Sequence, residues 1–236
     1  MKLEVIVQNE QEAIAAEKLG ADRLELVSAI SEGGLTPSYG TIKRVLASVS
    51  IPVQVMIRPH SHHFFYDDSD MEIIVEDIRN LLNQGHHRIV FGALNRDYSI
   101  NEQILQSVLL ISNELDITFH RAFDEVASQT EAYQVLTKYK KNVKRILTSG
   151  GEQTCGEGQE QLRKLVSLEK KLHGPVILPG SGLNLDNIEK LNQLVGASEY
   201  HFGSGVRMKQ SFLEGFNQLT FNKLTEWKMN SKGGFL

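Results

Sequence analysis

Short apolar runs rich in Val, Ile, Leu and Phe alternate along this chain with longer segments of helical period. The runs begin near Leu3, Arg23, Val53, Arg88, Ile117, Lys144, Val176 and Glu199, and their length and β-branched content predict strands. Between them, spacings such as Ile74, Ile78, Leu81 and Leu82, or Ile104, Val108 and Ile111, place one apolar face on a helix that covers a sheet. Four capping pairs predict helix starts: Asn9 with Glu12, Ser69 with Glu72, Ser99 with Glu102, and Ser128 with Glu131.

Strand starts recur every 20 to 35 residues or so, close to the ~30 residues of a βαβ unit, which implies a parallel sheet. Eight such units predict an α/β chain closed into a single-domain (β/α)8 TIM barrel, residues 1–236, with its core over about 1–207 and a C-terminal helix and tail over 208–236. An open doubly wound sheet is the alternative, but no G-x-G-x-x-G follows the first strand. Ser231 to Leu236 reads as a frayed tail.

Barrels of this kind fill their interior with aliphatic side chains and carry chemistry at the carboxyl ends of the strands. Here the two-residue alternation puts Met56 and many polar groups on the faces that do not carry the aliphatic run: Glu4, Arg23 and Glu25, then Gln54 and Arg58, then Thr118, His120, Arg145, Ser149 and His201. Buried charges must be paired, so a structural ion network is the plain reading for Glu4 and Arg145, and Glu4, Glu25 and Arg58 are within reach of one network. Nearer the mouth, Glu25, Arg58, His120 and Asp124 form the candidate catalytic set, with Glu25 as general base and Arg58 holding an anion. His120 is expected to face inward and Asp124 to anchor or line the site.

Glycine-rich turns after the last strands, Pro179-Gly180-Ser181-Gly182 before a helix capped by Asn184 and Gly203-Ser204-Gly205, are candidate phosphate-binding loops or simply tight turns. With Glu4, Arg121, Ser149 and His201 they complete the candidate substrate- and anion-binding set: Gly180, Ser181, Gly182, Gly203 and Ser204. His60, His62 and His63 match no specific metal-ligand spacing and read as solvent-facing side chains of a mobile loop. His86 and His87 fall on the stability face, and Cys155 reads as a small residue without a CxxC partner.

Charge narrows the partners. Twenty-five basic against 29 acidic side chains, a formal net charge of −4, lack the basic excess that nucleic-acid binding requires. Glu4 interrupts the apolar start, and no apolar run approaches the ~20 residues of a membrane span. One cysteine cannot form an internal disulfide. These features predict a cytoplasmic protein with neither nucleic-acid nor membrane partners.

Several ordered segments carry a resemblance: A-D-R-L-E-L from Ala21, S-E-G-G-L-T-P-S from Ser31, V-M-I-R-P from Val55, V-F-G-A-L from Val90, T-F-H-R-A-F-D from Thr118, and R-I-L-T-S-G-G from Arg145. Together with E-V-I-V at Glu4 they resemble the CutC copper-homeostasis family over Met1 to about Arg207. The resemblance implies a cytoplasmic, often homo-oligomeric TIM barrel connected with copper binding or control of copper levels. It carries the family's shared polar set onto Glu4, Arg23, Glu25, Arg58, His120, Arg121, Asp124, Ser149 and His201. It also implies two cysteines that this chain lacks, their places being held by Ile6 and Val27. Cu(I) prefers thiolate and thioether ligands, and one cysteine with five methionines in no ligand spacing supports it poorly. Two functions follow: copper handling by binding, or a lyase-, isomerase- or hydrolase-type enzyme acting on a small phosphorylated or carboxylated metabolite at the mouth, with an indirect link to copper.

Overall fold

Eight strands and eight helices alternate in the computed structural model, which describes residues 1–230. The order is β1 (Lys2–Val7), α1 (Glu10–Lys18), β2 (Arg23–Leu26), α2 (Tyr39–Ser48), β3 (Val53–Met56), α3 (Asp68–Asn83), β4 (Arg88–Phe91), α4 (Glu102–Ile111), β5 (Asp116–Phe119), α5 (Gln129–Thr137), β6 (Val143–Thr148), α6 (Gln159–Leu172), β7 (Val176–Pro179), α7 (Ile188–Val195), β8 (Glu199–Phe202) and α8 (Gln218–Asn230). Every strand starts within one residue of its predicted place. The tail from Ser231 lies outside the described residues.

All pairings between neighbouring strands are parallel, in the order β7-β6-β5-β4-β3-β2-β1-β8. A further parallel bridge between Gly180 and His201 joins the two ends, making a nearly closed TIM barrel. Register decides which inward groups meet: Glu4 lies opposite Arg23 on one side and His201 on the other, and Thr118 lies opposite Arg145. The outward aliphatic residues pack under the helices, with Ile74, Ile78 and Leu81 of α3 and Ile104 and Val108 of α4 buried as their spacing predicts.

Two helix starts differ from expectation. The capping box of α3 is Asp67 with Asp70, so Ser69 falls inside the first turn. The cap of α4 is Asn101, whose side chain accepts from the Ile104 N–H, so Ser99 lies in the preceding turn. In both cases an Asx residue two positions from the serine takes the cap and satisfies the exposed N–H groups. Asn9 and Ser128 cap α1 and α5 as expected. The helix after β7 starts at Ile188 rather than beyond Asn184, whose side chain instead accepts from the Asp186 N–H in a local turn. The Gly180–Gly182 turn therefore does not lead straight into a helix start.

Candidate functional site

At the floor of the barrel the inward charges are matched. Glu4 accepts from Arg23 Nε, and His201 Nδ1 lies 2.7 Å from its other oxygen. Arg23 Nη2 also donates to Glu199 at 2.6 Å. Arg145 donates to Asp116 and to Thr118 Oγ1, and Gln54 donates to the same aspartate at 3.3 Å. Burial opposes ionisation of Glu4, but Arg23 and His201 hold its carboxyl well below the usual carboxylate range. Glu4 and Arg145 thus sit in two separate matched clusters, one around Arg23 and one around Asp116.

Arg58 is not part of either. β3 ends at Met56, so by Arg58 the chain has left the sheet and the guanidinium turns to the loop after β2. It donates to the carbonyls of Glu32 at 3.1 Å, Gly34 at 3.3 Å and Ser61 at 3.2 Å, and stacks 4.7 Å from the Phe64 ring centroid. No carboxylate among the described residues pairs with it, and its Nε is buried without a partner. Gly33 permits this approach: its φ is +81°, and a Cβ there would lie 3.1 Å from Arg58 Nη1.

Above the matched layer lies a cavity of about 300 Å³. Of the predicted residues it is lined by Glu25, Arg58, His120, Arg121, Ser181, Gly182, His201, Gly203 and Ser204. Glu4 lies behind His201, and Asp124, Ser149 and Gly180 lie outside the lining. Asp124 is an anchor. Its carboxylate accepts from Thr148 Oγ1, from the N–H groups of Ser149 and Gly151, and from Arg121 Nε at 2.7 Å. Arg121 in turn donates to Ser149 Oγ at 2.9 Å, so the pair holds the loop after β6 against the mouth.

Three buried lining residues keep an unpartnered polar atom: Arg58 Nε, His120 Nε2 and Glu25 Oε1. The Ala122 N–H donates to His120 Nδ1, which makes Nδ1 the lone-pair nitrogen and leaves the proton on Nε2. Burial, reinforced by Arg58, lowers the His120 pKa to about 3, so the ring is neutral. Two of these three unpartnered groups are therefore N–H donors. Glu25 Oε2 lies 3.7 Å from His201 Nε2. Burial pushes the Glu25 carboxyl up to about 7, and His201 is raised because Glu25 and Glu4 outweigh the burial that opposes its charge. Each charge acts on the other, so the two titrate as a pair.

Sequence patterning did not identify Phe64 or Phe212 as lining residues. Phe64 lies in the loop taken for a mobile one, yet it is buried and packs 4.8 Å from the His120 ring. Phe212 follows two short turns after β8 and is held under Arg207, 5.0 Å from its ring centroid. A buried aromatic in an irregular segment has no period to reveal it.

The donor set is a poor match for copper. Cys155 is fully buried and donates to the Gly180 carbonyl at 3.0 Å, and burial together with Asp124 pushes its thiol up to about 12. It does not line the cavity. Ile6 and Val27, where the resemblance places cysteines, pack with Met56 and Val90 in an apolar cluster. A thiolate Cu(I) centre does not fit these residues. Among the described residues, Glu4, Glu25 and His201 have donor atoms within 4.8 Å of one another. Glu4 is committed to Arg23 and to His201 Nδ1, which leaves it poorly disposed to ligate a metal.

The fold and mouth define a TIM-barrel protein with a cavity at the carboxyl ends of its strands. The CutC family model matches residues 1–206, and the chain belongs to the CutC family. It is 39% identical over 215 residues to the human protein named copper homeostasis protein cutC homolog, covering 89% of this chain and 77% of that one. It is 39% identical to the family protein CutC of Serratia proteamaculans, covering 87% and 79%. A structure described as the copper homeostasis protein CutC of Streptococcus agalactiae superposes with a TM-score of 0.78 at 28% identity, covering 86% of this chain and 98% of that one. Phosphoribosyl anthranilate isomerase from Thermotoga maritima shares the fold alone, with a TM-score of 0.63 at 14% identity and 99% of both chains covered. Among the described residues, no helix is long and apolar enough to cross a membrane.

Proposed function

We propose that this CutC protein is an acid–base enzyme acting on a small carboxylated or phosphorylated metabolite, with its family's connection to copper indirect. The observation that carries this reading is the convergence of Arg58 Nε, His120 Nε2–H and Glu25 Oε1, each buried and unpartnered, on one cavity. A buried polar group without a partner costs about 1–3 kcal/mol, so these atoms are where a ligand gains most. Two are donors, which suits an anion, and Arg58 supplies a charge that no carboxylate among the described residues pairs with directly.

With the anionic group on Arg58 and His120, Glu25 is placed to accept a proton from a substrate carbon next to a carbonyl. The C–H electron pair stays on the substrate as an enolate, and return of the proton to another position completes an isomerisation. His201, oriented by Glu4, stabilises Glu25 as a carboxylate before the transfer. Arg121 and the Ser181–Gly182 and Gly203–Gly205 turns bound the cavity, and Gly205 lets the β8 loop touch the β7 loop, since a Cβ there would overlap the Leu183 carbonyl.

The test is a thermal-shift panel of phosphorylated and carboxylated metabolites against chelator-buffered Cu(I), since a ligand at a hundred times its Kd stabilises the native state by about 2.7 kcal/mol. Any stabilising metabolite is then followed by proton NMR in D2O. The expected result is stabilisation by an anion, lost in His120→Ala, and exchange of a substrate C–H that Glu25→Gln abolishes. Stabilisation by Cu(I) alone would overturn the reading in favour of direct copper binding.

A further inference from the structure

The loop between Arg58 and Phe64 carries a second constellation that the cavity chemistry does not use. The rings of His60, His62 and His63 lie close together, with centroid separations of 5.3 Å for His60–His62, 4.9 Å for His60–His63 and 6.5 Å for His62–His63. Three imidazoles on a tetrahedral cation, at metal–nitrogen distances of about 2.0–2.1 Å, have centroids about 5 Å apart. The observed separations bracket that value.

A second observation concerns protonation. His60 Nε2 lies 3.3 Å from Asp70 Oδ2 in the first turn of α3, and His60 Nδ1 is buried with no partner. A carboxylate on one ring nitrogen places the proton there and leaves the other as a lone pair, the arrangement found around metal-bound histidines. The surroundings are acidic. Glu32 accepts from Ser61 Oγ at 3.2 Å, and His63 shares a cleft of about 290 Å³ with Asp67 and Asp70. The opposing charges are Arg58, whose Nη2 is engaged by the Ser61 carbonyl, and Arg96, which also lines the cleft.

We infer that His60 Nδ1, His62 and His63 form a site for a borderline divalent cation of the kind that prefers imidazole, such as Zn(II), Ni(II) or Cu(II), with Asp70 orienting His60. The ring planes are 28°, 86° and 61° apart and do not yet converge on one point. His62 and His63 are exposed and free to turn, whereas His60 is held. Water supplies the fourth ligand. Because the same loop seats Phe64 against His120, a bound cation would pin one wall of the cavity. The site is independent of the proposed enzymatic reading.

The test is calorimetric titration of the full chain with Zn(II), and with Co(II) as a visible-absorption probe of coordination geometry. The expected result is one equivalent of Zn(II), a tetrahedral Co(II) spectrum, loss of both in His62→Ala/His63→Ala, and binding about 10- to 100-fold weaker in Asp70→Asn. Glu25→Gln should leave all of this unchanged, which separates the loop from the Glu4–Glu25–His201 trio. No Zn(II) binding by the native protein, undiminished binding in His62→Ala/His63→Ala, or loss of binding in Glu25→Gln would each overturn the proposal. The two loop histidines are exposed, so the double variant is expected to fold, and circular dichroism checks it.

Discussion

The floor and the mouth of this barrel treat buried charge in opposite ways. At the floor, Arg23 meets two carboxylates, Glu4 and Glu199, and Arg145 meets Asp116. At the mouth, Arg58 meets only backbone carbonyls and a phenyl ring, and Glu25 and His120 keep unpartnered atoms. Both regions are desolvated, so the difference is in matching rather than in burial. Unsatisfied buried groups beside a matched floor mark the mouth as the candidate site.

The largest effect should come from breaking the floor. Glu4→Ala leaves Arg23 short of one partner and His201 without its carboxylate, and should cost about 3–5 kcal/mol in urea unfolding. A loss below about 1 kcal/mol would mean that the floor network is not structural. His120 gives the next effect. Its neutral state persists down to a pKa of about 3, whereas the unfolded ring protonates near 6.5, so stability is lost as pH falls from 6.5 toward 3. His120→Phe should flatten that acid limb, which amounts to a few kcal/mol by order of magnitude. Acid unfolding that is the same in both proteins would place His120 in contact with water.

Glu25 acts in the opposite direction. Its carboxyl is raised from an ordinary value of 4.5 to about 7, so the folded state holds the proton more tightly and stability falls as pH rises across that window. His201, also raised, adds a loss of the same sign above 6.5. Glu25→Gln should flatten this limb by up to about 3 kcal/mol, read from melting temperature against pH. A smaller change than at the floor is expected for Arg58→Met, about 1–3 kcal/mol, because no ion pair is broken and only hydrogen bonds to the Glu32, Gly34 and Ser61 carbonyls are lost. The same substitution should remove the thermal shift produced by any anionic ligand. A large loss of stability in this variant would move Arg58 to the structural side of the comparison.

Much of this was legible from residue order. The eight strands, the inward placement of Glu25, His120 and His201, and the anchoring alternative for Asp124 followed from alternation and from strand ends. Other features were not. The capping of α3 and α4 went to Asp67 and Asn101 because serine and Asx residues compete for the same N–H groups within a few residues. Phe64 and Phe212 come from segments without periodicity, and Arg58 was placed in the wrong network because the chain leaves the strand before reaching it.

The sequence by itself determined which side chains turn inward, since successive residues of a strand face opposite ways whatever lies beside them. It also determined that Ile6 and Val27 bring no thiolates to the mouth. Only the tertiary structure decided who is matched. Glu4 meets His201 across 197 positions of chain because the last strand pairs with the first, while Arg58 finds no carboxylate because its loop turns away. Alternation is a local property of the backbone, but ion pairing is set by the register and closure of the whole barrel.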